Sequence, residues 1–456
     1  MKRPPDASPT QTHTLPVEER RMHGRALRGR CPRREQAAWR PAANRRDPIE
    51  ILIEQGERRL QELLPLRYAR MKASPFAFLR GAAAVMAADL AATASTGLFV
   101  QAAGDCHCLN FGGFATPERR LAFDINDFDE TAVAPWEWDL KRLATSFAVA
   151  AGDARARSDL AQTVARAYRE AMAGLAATPV LDAWYQALTI DDAATAEAIG
   201  VDDRVLKKAD KVLRHAADMI SLRHSGGSAP RIEDQPPLVY HPPAGEADAF
   251  RSAVEAMLAD YEASLIPERR TLFRRYRLVD AAYKVVGVGS VGTRCGVLLM
   301  RSGSGEALYL QFKEAARSVL EAHAWPSPYA HHGERVVRGQ RLLQAASDIF
   351  LGFATGPTGR HMYVRQLRDA KIKPQLETMS WRSLRRYAST CGEVLARAHA
   401  RTGDAVLLSA YLGKGPAFDE AIGAFALAYA RQTELDHAAL LQAIKEGRLP
   451  SAERDS

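Results

Sequence analysis

The chain has 456 residues, 47% of them hydrophobic and 25% charged, with a formal net charge of +8. That is ordinary globular make-up with length for two or three domains, and it excludes a mostly disordered, collagen-like or coiled-coil protein. Residues 1–50 hold 12 Lys/Arg against 6 Asp/Glu, so the rest of the chain is near neutral and no basic nucleic-acid-binding face is expected.

Residues 1–47 are rich in Pro and Arg and read as a flexible basic leader. The opening MKRPPDASPTQTHTLP lacks the apolar core of a signal peptide, and no run of 18 apolar residues predicts a spanning helix. Five cysteines are too few for a disulfide framework, so a reducing cytoplasm and no membrane partner are expected. Cys106 and Cys108 flank His107, but side chains this close in sequence diverge, and no second Cys pair stands elsewhere.

Residues 48–224 read as a helical segment interrupted by short strands. IEILIEQGERRLQELLPLRYARM has helical spacing, and Ser74-Pro75 starts a second, Ala-rich helix. Between residues 97 and 128 the period changes to that of strands, with Thr116-Pro117-Glu118-Arg119 as a hairpin turn. Residues 225–247 form a Pro/Gly-rich connection, and 248–380 a β-rich block with Gly303-Ser304-Gly305 as a turn. Residues 381–448 are helical and 449–456 a tail, so the fold class expected is α+β with antiparallel strands.

Two constellations carry chemistry. Gly104-Asp105-Cys106-His107-Cys108-Leu109-Asn110 precedes the hairpin, and Asn126-Asp127-Phe128-Asp129 follows it. A hairpin brings its ends together, so an acid, an amide and a second acid are expected to converge. Phosphoryl transfer needs a carboxylate beside the attacking hydroxyl and oxygen ligands for Mg²⁺. Taken singly, each of these residues also serves as a loop cap. The second constellation is Gly287-Val288-Gly289-Ser290-Val291-Gly292, followed by a strand, a turn and Lys313. Glycines let backbone N–H groups approach phosphates, and the strand–turn–strand setting disfavours a dinucleotide fold.

The first constellation resembles the catalytic and metal loops of the aminoglycoside phosphotransferase and choline kinase branch of the protein kinase-like superfamily. The resemblance implies Asp105 as catalytic base with His107 as the loop histidine, and Asn110 and Asp127 as Mg²⁺ ligands with Asp129 as a further metal-shell residue. It implies Asp139, in Pro135-Trp136-Glu137-Trp138-Asp139-Leu140, as structural support. Ala103 stands where those kinases usually have His. In the same resemblance Gly287, Gly289, Ser290 and Gly292 cover the phosphates of ATP, Lys313 is the strand lysine, and Glu334, or alternatively Glu321, pairs with it. Met362–Leu367 would lead to the interlobe hinge. Arg80, Lys141 and Arg142 are anion-binding candidates, or else solvated or ion-paired helix residues.

The order is reversed relative to ordinary kinases, because Asp105 precedes Gly287. A circularly permuted two-lobed kinase-like fold is expected, since downstream of Lys313 the sequence His399-Ala400-Arg401-Thr402-Gly403-Asp404 lacks the Asn and metal loop that should follow. The segments around Ser74–Gly81, Asp105, Asn126–Glu130, Pro135–Arg142, Val288–Gly292, Lys313 and Tyr363–Leu367 also resemble the DUF2252 family of bacterial proteins. The function implied is ATP- and Mg²⁺-dependent transfer to a hydroxyl of an unspecified acceptor. A nucleotide-binding regulator without transfer and a metal-dependent phosphoesterase are the alternatives.

Overall fold

The computed structural model describes residues 11–190, 230–285, 287–367 and 374–452, together with Ala196, Ile199, Leu222, Arg223 and Ile372. Residues 225–229 of the expected connection and 453–456 of the expected tail lie outside the described residues.

The basic leader is not a free tail over its described part. Helix α1 (Val17–Arg30) packs on α13 (Ala405–Leu412), and Gly24 sits where a Cβ would lie 2.3 Å from the Leu407 carbonyl oxygen. The arginines that gave the leader its charge cap the far end of α13. Arg28 donates to the Tyr411 carbonyl at 2.9 Å and to that of Ala410, and Arg33 donates to the Leu412 carbonyl at 2.8 Å. Cations at a helix C-terminus satisfy its last carbonyls and its dipole. Further on, Arg45 bonds both Asp89 and Asp436, so the leader joins distant parts of the body.

The stretch read as one helix from residue 49 is two. Asp47 caps α2 (Pro48–Glu57) by accepting from Ile49 N at 2.8 Å, and a turn leads to α3 (Leu64–Met71). Ser74 caps α4 (Pro75–Gly81) as its Ser-Pro signal predicts, accepting from Ala77 N at 3.1 Å. The Ala-rich run then breaks at Ala82 before α5 (Ala83–Leu90). There buried Arg67 takes the Gly81 carbonyl at 2.9 Å, and Gly81 lies flat against Met71.

Strand β1 (Phe99–Ala102) pairs antiparallel with β4 (Ala132–Pro135), bracketing the hairpin β2 (Phe111–Ala115) and β3 (Leu121–Ile125). Helices α6 (Trp136–Ala150) and α7 (Ala154–Ala177) follow. Short α8 (Val180–Tyr185) leads to β5 (Leu188–Thr189), which adds to β3. Helices α12 (Trp381–Ala400), α13 and α14 (Ala417–Lys445) pack against α6 and α7. One apolar core therefore joins residues from both ends of the chain, from Val100, Trp136 and Val164 to Leu395, Tyr411 and Ile422.

Between these ends lies a six-stranded antiparallel sheet in the order β12-β13-β11-β10-β9-β8. Its strands are β8 (Val239–Tyr240), β9 (Tyr276–Lys284), β10 (Cys295–Ser302), β11 (Ala307–Glu314), β12 (Gly352–Thr355) and β13 (His361–Gln366). Two residue pairs, β6 (Leu222–Arg223) with β7 (Arg231–Ile232), form a separate ladder. On one sheet face Leu298, Met300, Leu310, Phe312 and Val364 pack against α9 (Ala247–Ser264) and α10 (Pro267–Phe273). Strand alternation turns Gln311 and Lys313 to the opposite face. Helix α11 (His332–Leu343) lies between β11 and β12 in sequence and contacts β12 and β13. The fold is thus mixed α+β with antiparallel sheets. No helix among the described residues is long and apolar enough to cross a membrane.

Candidate functional site

The hairpin closes as its length suggests. Asn126 N donates to the Asn110 carbonyl at 2.9 Å, one step beyond the Phe111–Ile125 register pair. Asp127 and the Asp105 loop consequently meet. Asn110 Nδ2 bonds the Asp105 carbonyl at 2.7 Å, and Asn110 N bonds the His107 carbonyl at 2.8 Å.

The loop is held from beneath. Asp139, on α6, accepts from Ala103 N at 2.6 Å and Gly104 N at 2.9 Å, and His399 Nε2 lies 3.3 Å from its Oδ2. Tyr168 OH is 2.9 Å from the other His399 ring nitrogen. Asp139 is 1% exposed and fully partnered, so its part is to fix backbone. Gly104 has φ +88°, and a Cβ there would meet the Glu130 carbonyl, so the tight turn before Asp105 requires glycine.

A cavity of about 680 Å³ opens between the sheet and the helical body. Asp105, His107, Asn110, Asp127 and Asp129 line it from one side, and Gly287, Gly289, Ser290 and Lys313 from the other. Arg80 completes the rim. Residues separated by some two hundred positions are therefore brought to one space.

Inside, Asp105 Oδ1 is held by buried Arg142, whose Nε lies at 2.8 Å and whose Nη2 also bonds the Leu79 carbonyl at 2.9 Å. Oδ2 of Asp105 makes no hydrogen bond among the described residues. Lys313 Nζ pairs with Asp129 Oδ2 and donates to Ser290 Oγ at 2.8 Å, while Tyr363 OH donates to Asp129 Oδ1 at 2.7 Å. Burial works against the Asp129 charge. The charge and hydrogen bonds of Lys313 and Tyr363 overcome it and hold Asp129 below the usual carboxylate range. Asp127 is opposite. Burial and the neighbouring Asp129 push it up, and no ion pair among the described residues compensates it. Burial, with Arg80 and Arg142 nearby, keeps His107 well below the ordinary histidine range, so it is neutral.

Several expectations are corrected. Glu334 does not pair with Lys313: it sits in the first turn of α11 beside Arg338, at 3.3 Å, and does not line the cavity. Glu321 does not pair with it either. Its carboxylate lies 3.5 Å from Arg335 and accepts from Ser318 N in a capping box. The inward residue of α11 is Arg335, bonded to the Thr131 carbonyl at 2.5 Å and the Asp129 carbonyl at 2.8 Å, so a carboxylate has no room there. Lys141, on α6, is buried away from the cavity, donating to Thr93 Oγ1 at 3.1 Å with its ammonium 4.8 Å from the Phe425 ring. Arg142 is committed to Asp105. Neither is open to an outside anion. Gly292 lies just off the cavity with φ +88°, packed on Arg59.

Arg365 lines the cavity and Tyr363 stands beside it, both on a strand expected only to lead toward a hinge. Tyr363 and Arg365 pair across β13 with Lys313 and Gln311, so ladder register puts them on the same face. Arg365 donates to Gln311 Oε1 at 3.3 Å and the Asn126 carbonyl at 3.4 Å. Arg59 reaches the glycine turn at the Val291 carbonyl, 2.6 Å away, which no local motif announces. Among the described residues no three His, Cys, Asp or Glu side chains are grouped so as to hold a metal ion by themselves.

No curated protein and no solved structure matches the chain. The family described as "Uncharacterized protein conserved in bacteria (DUF2252)" matches residues 59–443, which include every cavity residue named above. With most of its length matched, this protein belongs to the DUF2252 family.

Proposed function

We propose that this protein is an ATP- and Mg²⁺-dependent phosphotransferase acting on a hydroxyl, with a kinase-like, circularly permuted fold. The observation that carries the reading is the single cavity that gathers Asp105, Asn110 and Asp127 opposite the glycine turn and Lys313. The sheet supports it. A glycine turn joins β9 to β10, the lysine stands on β11 as the third strand, and a helix follows before β12. That is the order of parts in a kinase nucleotide lobe. The helical body built from both chain ends, with this sheet between them, is what permutation would produce.

In this reading the β- and γ-phosphates lie under Gly287–Gly292 and against Lys313. Mg²⁺ is a hard cation that takes a few protein oxygens and fills its remaining positions with water and phosphate. Asn110 and Asp127 fit that need, since Asp127 is a part-buried carboxylate with no directly paired cation among the described residues, near Lys313 and Arg365. The ion would supply charge neutralisation to the phosphates. Asp105 orients the acceptor hydroxyl with its free Oδ2 and takes its proton. The hydroxyl oxygen bonds to the γ-phosphorus while the bond to the β–γ bridging oxygen breaks, and ADP departs with that electron pair. Lys313 must exchange Asp129 for phosphate, and Asp129 is then free to join the metal shell.

That same Lys313–Asp129–Ser290 cluster favours a second reading, a nucleotide-binding regulator held in an inactive arrangement. A two-metal phosphoesterase finds no support in the described acid and histidine groupings. The test is a thermal-shift and calorimetric titration with ADP and Mg²⁺, followed by an ATP-turnover assay over hydroxyl acceptors. Binding that depends on Lys313 and Asp127, with turnover, is the expected result. Binding without turnover on any acceptor supports the regulator, and no binding removes both.

A further inference from the structure

We infer that the acceptor held beside Asp105 carries an oxyanion, recognised by Arg80. This rests on the phosphotransferase reading and names its substrate class.

The cavity wall contributed by residues 48–90 consists of Gln55, Arg59, Arg80, Gly81 and Ala83, with two guanidiniums and no carboxylate. Arg59 donates to the Val291 carbonyl and feels the charges of Glu130 and Asp129, whereas no carboxylate among the described residues pairs with Arg80. Asp105 is paired with Arg142, Asp129 with Lys313, and Glu314 with Arg294 and Arg360. Glu130 is engaged by Val319 N at 2.8 Å. Arg80 forms no hydrogen bond or ion pair among the described residues, and its Nε is shielded from solvent without a partner. A shielded guanidinium donor left unpaired is costly, and an arriving oxyanion removes that cost. The guanidinium fork matches carboxylate and phosphate geometry.

The Arg80 backbone borders Gly289 of the glycine turn, and the residues around its helix end link it to the Asp105 loop. Arg142 binds Asp105 and the Leu79 carbonyl at once, so α4 ends directly beside the proposed base. The charge of Arg80 also reaches His107 on the same loop. Lys313 and Arg365 stand across the cavity on the sheet. A cationic acceptor such as an amine would face the unpaired Arg80 guanidinium at this wall, so the polarity selects against it.

The experiment is calorimetry on the full chain saturated with ADP and Mg²⁺, titrated separately with inorganic phosphate, lactate and choline. Phosphate or lactate should bind and choline should not, and which anion binds more tightly separates a phosphate from a carboxylate recognition group. Arg80→Gln should weaken the anion by about 10-fold or more, as befits a lost charged hydrogen bond. Arg80→Lys should restore part of it, and ADP affinity should stay within about twofold. If Arg80→Gln weakens ADP and anion equally, Arg80 serves the nucleotide and the inference fails. Choline binding in place of the anions also overturns it. If the wild type binds no ADP, the phosphotransferase reading fails by itself. Phosphate is then titrated without nucleotide: binding lost in Arg80→Gln and kept in Lys313→Ala upholds the anion site, and the reverse contradicts it.

Discussion

Asp139, buried beneath the Asp105 loop, and Asp127, part-buried in the cavity wall, are carboxylates that differ in what surrounds them. Asp139 accepts two backbone N–H groups and faces His399, which Tyr168 orients in turn. Asp127 accepts one long bond from Asp129 N, at 3.3 Å, and has no cation paired to it. The first arrangement has one low-energy geometry and positions a loop. The second leaves a carboxylate that burial and Asp129 push up and that no cation pairs directly, an environment suited to receiving one. Arg142 and Arg80 show the same contrast in guanidiniums, one bonded to Asp105 and Leu79, the other unpartnered.

Substitution should separate the two. Asp139→Ala leaves two buried backbone donors and His399 without their acceptor, and should cost about 3–5 kcal/mol of stability in urea denaturation. Asp127→Asn should leave stability equal or slightly higher, because burial already disfavours its charge, while abolishing Mg²⁺-dependent nucleotide binding. If Asp127→Asn destabilises as much as Asp139→Ala, the distinction between them is wrong.

Asp105→Asn comes next and mixes both roles. Transfer should fall about 10²- to 10⁴-fold, the usual contribution of a positioned base. Buried Arg142 also loses its counter-charge, so melting must be measured alongside turnover. Full turnover in this variant would end the assignment of Asp105.

Deleting residues 1–31 should lower the melting temperature, with a loss of about 2–4 kcal/mol from uncovered Leu27 and α13 and from the lost Arg28 cap. Unchanged melting would show that α1 contributes nothing to the body.

The smallest effect is a pH slope at Lys141. Burial lowers its pKa to about 8, against an ordinary value of about 10.4. Between these values the unfolded chain binds a proton that the folded chain lacks, so this residue's contribution makes stability rise with pH there. Lys141→Met should flatten that part of the curve in denaturation experiments at pH 8 to 10, and an unchanged slope would contradict it.

The parts of the site carried by short contiguous motifs were legible in the sequence. Spacing across the hairpin foretold that Asp105, Asn110 and Asp127 meet, because Asn126 closes on Asn110. Lys313 and the glycine turn were legible for the same local reason. The partner of Lys313 was not. Choosing Glu334 relied on analogy with a helix acid, whereas the loop carrying Asp129 reaches the lysine first and Arg335 fills the inner face of α11. The leader was misread because arginine-rich composition looks solvated, and only the three-dimensional position of the α13 carbonyls gives those arginines partners. Arg80 was named only as one of three candidates. Its two companions are committed inside the protein, which sequence cannot reveal.

The central claim is that Lys313 and Asp127 hold a magnesium nucleotide in the cavity. Calorimetric titration of the full chain with ADP, with and without Mg²⁺, tests it most directly. Wild type should bind only weakly without the ion and at least tenfold more tightly with it, and Lys313→Ala and Asp127→Asn should both lose that gain. Equal binding by wild type and both variants, or no binding by wild type, would contradict it.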